Sequence, residues 1–260
     1  MKLTFLGSGS AFTCGGNYQS NLLFEAGGER LLIDCGSDVR HALHEKGLFY
    51  RDIDAVYISH LHSDHVGGME WLGFSCLFDP ETSRPDLYIN ENLKEKLWFN
   101  VLQGGMGSLE GETPDLHSYF KVHSVPNNGF FLWNGVKFQL VQTIHVINGY
   151  HYAPCFGLLF NVQGVNVFFS SDIQYAPKQF SMFYEAADII FHDAETLPLT
   201  TGVHPSFEDL CNLPDAVRDK MWLYHYNPGE LPDARAAGFR GFVEKGQVFD
   251  FADRKTLLPR

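Results

Sequence analysis

Six consecutive residues, His60-Leu61-His62-Ser63-Asp64-His65, constrain this chain more than any other feature. Three imidazoles and a carboxylate fall within them, the donor types that Zn²⁺ or Mn²⁺ takes. They follow an apolar strand, Ala55 to Ser59, and precede Val66-Gly67-Gly68. A regular strand cannot aim all four donors at one ion. A turn after a strand can, and two pairs can serve two ions. Three further donors stand just past predicted strands: His145 after Phe138 to Ile144, Asp172 after Val165 to Ser171, and His225 after Met221 to Tyr224. Strand ends can converge on one site.

Alternating and apolar runs predict further strands over Lys2 to Leu6, Asp54 to Ser59, Asp86 to Ile89, Ile189 to Phe191 and Trp222 to Tyr224. Hairpins are predicted at Gly27-Gly28, joining Leu22–Glu25 to Arg30–Asp34, at Asn134-Gly135 and at Gln163-Gly164. Helices are expected from an N-cap at Ser37 to Lys46, over Val66 to Leu77, over Asn92 to Leu102, and over Ser206 to Val217 with a break at Pro214. Gln103 to Tyr119 is Gly-rich and acidic and reads as a long loop, either a lid or a surface insertion. No repeat, linker or low-complexity tract divides the chain. One domain over 1–260, with two packed sheets and helices outside, is the expectation.

The chain carries 31 acidic and 19 basic residues, a net charge of −12. A protein that tracks a nucleic-acid backbone usually has a basic face. The balance therefore argues against a large polyanionic partner, though not against a small phosphate ester. Five scattered cysteines, with no C-x-x-C pair, fit a reducing compartment rather than a disulfide framework. No apolar run resembles a signal peptide or a membrane span, so a soluble cytoplasmic protein without membrane association is expected.

The H-x-H-x-D-H segment with its later His, Asp and His resembles the ligand set of the metallo-β-lactamase superfamily, over nearly the whole chain. The resemblance implies an α/β fold, the αββα sandwich of two mixed sheets. It also implies two divalent metal ions, Zn²⁺ first and Mn²⁺ second. His60, His62 and His145 would hold one ion, Asp64, His65 and His225 the other, and Asp172 would bridge them. Asp64 would also stand among the catalytic groups.

Three features point to the RNase Z-like branch. Phe5 to Ala11, with Asn17 to Asn21 and Leu32 to Gly36, looks like its opening. Asp188 to Glu195 resembles its strand ending in His-Glu-Ala-Thr, with Asp193 in place of Glu and Glu195 in place of Thr. His204-Pro205-Ser206 resembles its His-Ser-Thr segment, and Leu223 to Tyr226 its last ligand strand. A leaving alkoxide needs a proton, and a histidine oriented by a carboxylate can deliver it. His204 paired with Asp193 fits that role. The long Gly/Pro-rich arm with which tRNA-processing members grip tRNA has no counterpart. The smaller relatives fit better: cyclic-nucleotide phosphodiesterases, the cyclic-phosphate enzyme of phosphonate breakdown, and phage enzymes that destroy cyclic pyrimidine nucleotides. The expected activity is hydrolysis of a small nucleotide phosphodiester, cyclic in form, by a metal-activated hydroxide. A tRNA 3′-end endonuclease, a lactone or thioester hydrolase, and a metal-stabilised binding module are the rival readings. The relatives pair as homodimers, so a dimer is implied. Of the other histidines, His41, His44, His117 and His123 read as surface residues and His192 as core or supporting. His151 either meets a substrate base or packs its loop.

Overall fold

A computed structural model describes residues 1–258. In chain order, the first sheet takes β1 (Lys2–Phe5), β2 (Leu22–Ala26), β3 (Glu29–Ile33), β4 (Ala55–Ile58), β5 (Asp86–Asn90) and β6 (Lys121–Val125). The second takes β7 (Phe130–Trp133), β8 (Val136–Asn148), β9 (His151–Val162), β10 (Val165–Phe169), β11 (Ile189–Asp193), β12 (Met221–Tyr224) and β13 (Gly241–Phe242). The chain then returns to the first sheet as β14 (Val248–Asp250), which pairs with β1. Among the described residues the orders are β14-β1-β2-β3-β4-β5-β6 and β13-β12-β11-β10-β9-β8-β7.

Pairing follows the connections. Strands joined by tight turns are antiparallel, as β2 with β3, β7 with β8, and β9 with β10. Asn134-Gly135 and Gln163-Gly164 all take positive φ, as a primed hairpin turn requires. Strands separated by helices are parallel: β3 to β6 in the first sheet and β10 to β12 in the second; β13 also joins β12 in parallel, after a connection without a helix. Side chains alternate across each strand. On β10, Val165, Val167 and Phe169 join the core between the sheets, while Phe168 packs with Phe180 and Tyr184 of the helix Pro177–Ala186. The layers are thus helix, sheet, sheet, helix: the metallo-β-lactamase fold. Among the described residues no helix is long and apolar enough to cross a membrane.

The parallel runs place the site. β3 and β4 end at one edge of the sandwich, and β10, β11 and β12 end there too. Three residues at those ends hold left-handed backbone: Asp34 (φ 63°), Ser171 (φ 50°) and His225 (φ 64°). Such φ values are uncommon outside glycine and cluster at functional sites.

Three expectations need correction. Gln103 to Tyr119 is not a long loop. The helix that begins at Glu91 continues through a π-helical stretch, Leu97–Leu102, to Met106, and Leu116–Tyr119 forms a further turn of helix. Met106, Leu116 and Tyr119 are buried, and the Tyr119 hydroxyl donates to the Met106 carbonyl at 2.6 Å. Second, β8 does not stop at Ile144 but runs on to Asn148, and its register with β9 shifts between Ile144 and Val146. His145 sits in that bulge, which re-aims a side chain without ending the strand. Third, the helix predicted from Ser37 begins after Asp38, and the Ser37 hydroxyl donates to Gln19 Oε1 instead.

Gly36 tests how tightly this edge is built. A Cβ there would meet the Asp64 carbonyl oxygen at 2.1 Å and Gln19 Oε1 at 2.7 Å. Gly36→Ala is expected to cost about 1–3 kcal/mol, the usual scale of overpacking, read as a lowered denaturation midpoint. An unchanged midpoint would show that the turn after β3 has slack.

Candidate metal centre

The turn after β4 delivers four donors at once. His60 leaves the strand, His62 precedes a helical turn over Ser63–Val66, and Asp64 and His65 lie within it. From the second sheet come His145 in the β8 bulge, Asp172 after β10 and His225 after β12. All but His62 are buried. Two sets result: His60, His62, His145 and Asp172, and Asp64, His65, Asp172 and His225. Within each, the donor atoms lie within 4.8 Å of one another. Asp172 belongs to both. Its Oδ2 lies 3.6 Å from His60 Nε2, 3.4 Å from His65 Nε2, 3.5 Å from His145 Nε2 and 3.4 Å from His225 Nε2.

The tautomers follow from the partners behind each ring. His65 Nδ1 lies 2.7 Å from Asp34 Oδ2, and His145 Nδ1 lies 2.9 Å from the Val203 carbonyl. Both partners only accept, so both Nδ1 atoms carry hydrogen. The Ser59 hydroxyl gives its own hydrogen to Asp34 Oδ2, so it accepts from His60 Nδ1 at 3.1 Å. The Ser20 hydroxyl gives its hydrogen to the Gly9 carbonyl, so it accepts from His225 Nδ1 at 3.3 Å. Four Nε2 lone pairs therefore face a carboxylate oxygen. His62 Nδ1 adds contacts of 3.1 Å to His60 Nε2 and 3.2 Å to His145 Nε2. Lone pairs crowded around the Asp172 carboxylate at 3.4–3.6 Å call for positive charge between them. His65 Nε2 and Asp172 Oδ1 are buried without a hydrogen-bond partner. The donor set thus fits divalent cations, with each imidazole oriented from behind.

Protonation preferences point the same way. Burial pushes His60 well below its ordinary range. Burial also disfavours charge on His65, yet Asp64, Asp172 and Asp34 outweigh it and hold His65 well above that range. A proton there answers part of what a metal ion would answer in full.

Beside the centre, His204 Nδ1 lies 2.6 Å from Asp193 Oδ2, and its ring lies tilted against His145 at 4.7 Å and His225 at 5.1 Å. Asp193 ends β11 fully buried, and its Oδ2 also accepts from the Ile173 amide at 3.1 Å. Burial would push the His204 pKa down, but the Asp193 charge and hydrogen bond hold it at about 9. His204 lines a cavity of about 400 Å³ with His62, Asp64, His145, Asp172 and His225. His192 lies apart: its Nδ1–H donates to the Asp193 carbonyl at 2.7 Å, and its Nε2 accepts from the Tyr184 hydroxyl at 2.8 Å. His151 is exposed at the β8–β9 turn and does not line this cavity.

Sequence reading gave no role to Asp34, Ser59, Ser20 or the Val203 carbonyl. Asp34 carried a signal, since it closes the apolar run Leu31-Leu32-Ile33 much as Asp172 closes its own. Glu195 also escaped. It is buried, and its Oε2 accepts from the Thr201 amide at 2.9 Å and hydroxyl at 3.1 Å. That grip holds the loop bearing Val203 and His204.

Asp34→Asn keeps the shape but removes the charge behind His65. Metal affinity is expected to fall about 10- to 100-fold, measured by chelator competition, and to rise with pH in the parent protein because binding displaces protons. Affinity equal to that of the parent would dismiss the supporting role of Asp34.

The family model described as Anti-Pycsar protein Apyc1 matches residues 1–249. An anti-Pycsar protein Apyc1 from Paenibacillus harenae is 35% identical over 228 residues, covering 87% of this chain and 90% of the relative. One from Bacillus phage vB_BveM-Goe7 is 31% identical over 255 residues, covering 95% and 96%. Among solved structures, the metallo-β-lactamase fold protein YhfI from Bacillus subtilis superposes with a TM-score of 0.74 at 18% identity, over 96% of this chain and 99% of that one. By the extent of the family match and the identity to its members, the chain belongs to the Anti-Pycsar protein Apyc1 family.

Proposed function

We propose that this protein is a metal-dependent phosphodiesterase that opens small cyclic nucleotide diesters. One observation carries the reading: His204, held from behind by the buried Asp193, lines the same cavity as the metal-type donors. His60, His62 and His145 would hold one ion, Asp64, His65 and His225 the other, and Asp172 would serve both. Zn²⁺ suits so nitrogen-rich a set, with Mn²⁺ second. When bound, the ions supply Lewis acidity, which activates water and neutralises charge on phosphoryl oxygens.

The chain's own residues supply the rest. Hydrolysis joins a water oxygen to phosphorus and breaks one ester P–O bond, and the departing oxygen requires a proton. Asp193 holds His204 through Nδ1–H, which leaves Nε2 as the ring atom available to the cavity. The imidazolium donates from there, and Asp193 stabilises the charged ring before transfer. The buried Asp193 itself is fixed by the Ile173 amide, so the pair is set before substrate arrives.

Size and charge favour a small substrate. A cavity of about 400 Å³ lies at the small-molecule end of binding sites, and a net charge of −12 discourages RNA. Relatives described as anti-Pycsar proteins, one of them from a phage, support the branch that destroys cyclic pyrimidine nucleotides. A cytoplasmic homodimer belongs to the same reading, by resemblance.

The test is hydrolysis of 3′,5′-cyclic nucleotides by the metal-loaded protein, lost on chelation. His204→Ala should lower kcat by about 100-fold or more with metal content unchanged; undiminished turnover would remove His204 from the mechanism. The acid form of His204 is present below its raised pKa and lost as pH rises through it. Asp193→Asn removes the charge that raises it, so the alkaline limb of kcat/KM should move to lower pH. A limb that stays put would assign it to another group.

A further inference from the structure

Resting on the phosphodiesterase reading, we infer that Phe12 is the residue on which the nucleobase of the substrate stacks. Phe12 is 81% exposed, an unusual position for so large an apolar side chain in a rigid turn. The turn is well built. The Thr13 amide donates to the Ser10 carbonyl at 3.0 Å, which puts Ala11 and Phe12 at its two central positions. Ser10 is tied to the segment after His225: its amide donates to the Tyr226 carbonyl at 3.0 Å, and its hydroxyl accepts from Asn227 Nδ2 at 3.4 Å. Gly9 lets Thr13 sit against the backbone, since a Cβ there would lie 2.2 Å from Thr13 Oγ1. The backbone that carries the ring is thus held beside the centre, and folding gains nothing from leaving the ring in water.

Phe12 lines the same cavity as His62, Asp64 and His204. That cavity has two chemistries. Imidazoles and carboxylates from the sheet ends supply one part. Ala11, Phe12, Val146, Leu197 and Val203 supply the other, with Leu197 39% exposed. A bare phosphodiester would use only the first. A nucleotide presents both an anionic diester and a planar apolar base, and bases stack on aromatic rings whatever their hydrogen-bonding edge. Phe12 is therefore a specificity-determining residue rather than a catalytic one.

The experiment compares the parent protein, Phe12→Ala and Phe12→Trp, all metal-loaded. Substrates are cyclic UMP and the six-membered cyclic phosphate of 1,3-propanediol, which has the diester ring and no base. Phe12→Ala is expected to raise KM for cyclic UMP about tenfold with kcat held, the pattern of lost ground-state binding. Phe12→Trp should restore KM, and the base-free diester should not distinguish the three proteins. An unchanged KM in Phe12→Ala overturns the inference. So does an equal loss on the base-free diester, which would mean that the ring only shapes the cavity. A loss accompanied by a change of molar mass in light scattering also overturns it and assigns Phe12 to contact between copies. Failure of the parent protein to open either diester would instead overturn the phosphodiesterase reading beneath it.

Discussion

The centre depends on the two sheets being held in one register, because neither sheet carries a complete donor set. Direct bonds set that register close to the donors. The Tyr57 hydroxyl, on β4, donates to the Phe156 carbonyl on β9 at 2.7 Å, and the Phe156 amide donates to the Ser59 carbonyl at 3.1 Å. Ser59 immediately precedes His60. Deeper in the sandwich, aromatic rings interlock across the gap: Phe5 with Phe191 at 5.1 Å, Phe24 with Phe138 at 5.4 Å, and Tyr57 with Phe131 at 5.5 Å. Such pairs add directional preference to the area they bury. A slide of one sheet would break both sets of contacts together, so the donors inherit a fixed spacing from the core.

Charge at the edge is arranged with equal economy. Asp34 accepts from Ser59 twice and faces His65, so one buried carboxylate orients donors from both ends of the His60–His65 turn. The Val203 carbonyl does the same for His145 from the opposite side. Val203 adjoins His204, and Glu195 steadies their loop through Thr201. The orientation of His145 and the placement of His204 therefore share one short segment.

Much of this was readable from residue order. Apolar runs that end in His or Asp mark strands whose ends can meet, and His60 to His65, Asp172 and His225 are all found at such ends. The His204–Asp193 contact was inferred from motif likeness and appears as a 2.6 Å pair. What failed had physical causes. Gly104 and Gly105 look like loop residues, but they sit in a helical turn that continues from Glu91. The β8 bulge leaves no trace in the alternation of Phe138 to Ile144. A backbone carbonyl such as that of Val203 has no residue identity to read. The helix Pro177–Ala186 has few buried positions, Phe180 and Tyr184, too sparse a stripe to predict.

Each donor set straddles the sandwich. His60 and His62 meet His145, and Asp64 and His65 meet His225, with Asp172 from the second sheet in both. A cation held by either set is therefore a cross-link between two layers, comparable in topology to a disulfide between sheets. Binding only to the folded chain, it adds stability in proportion to the logarithm of its free concentration. The edge of the sandwich where these strands end is where such a rivet would act. The donors that could hold such ions are thus also the residues through which the two layers could be joined.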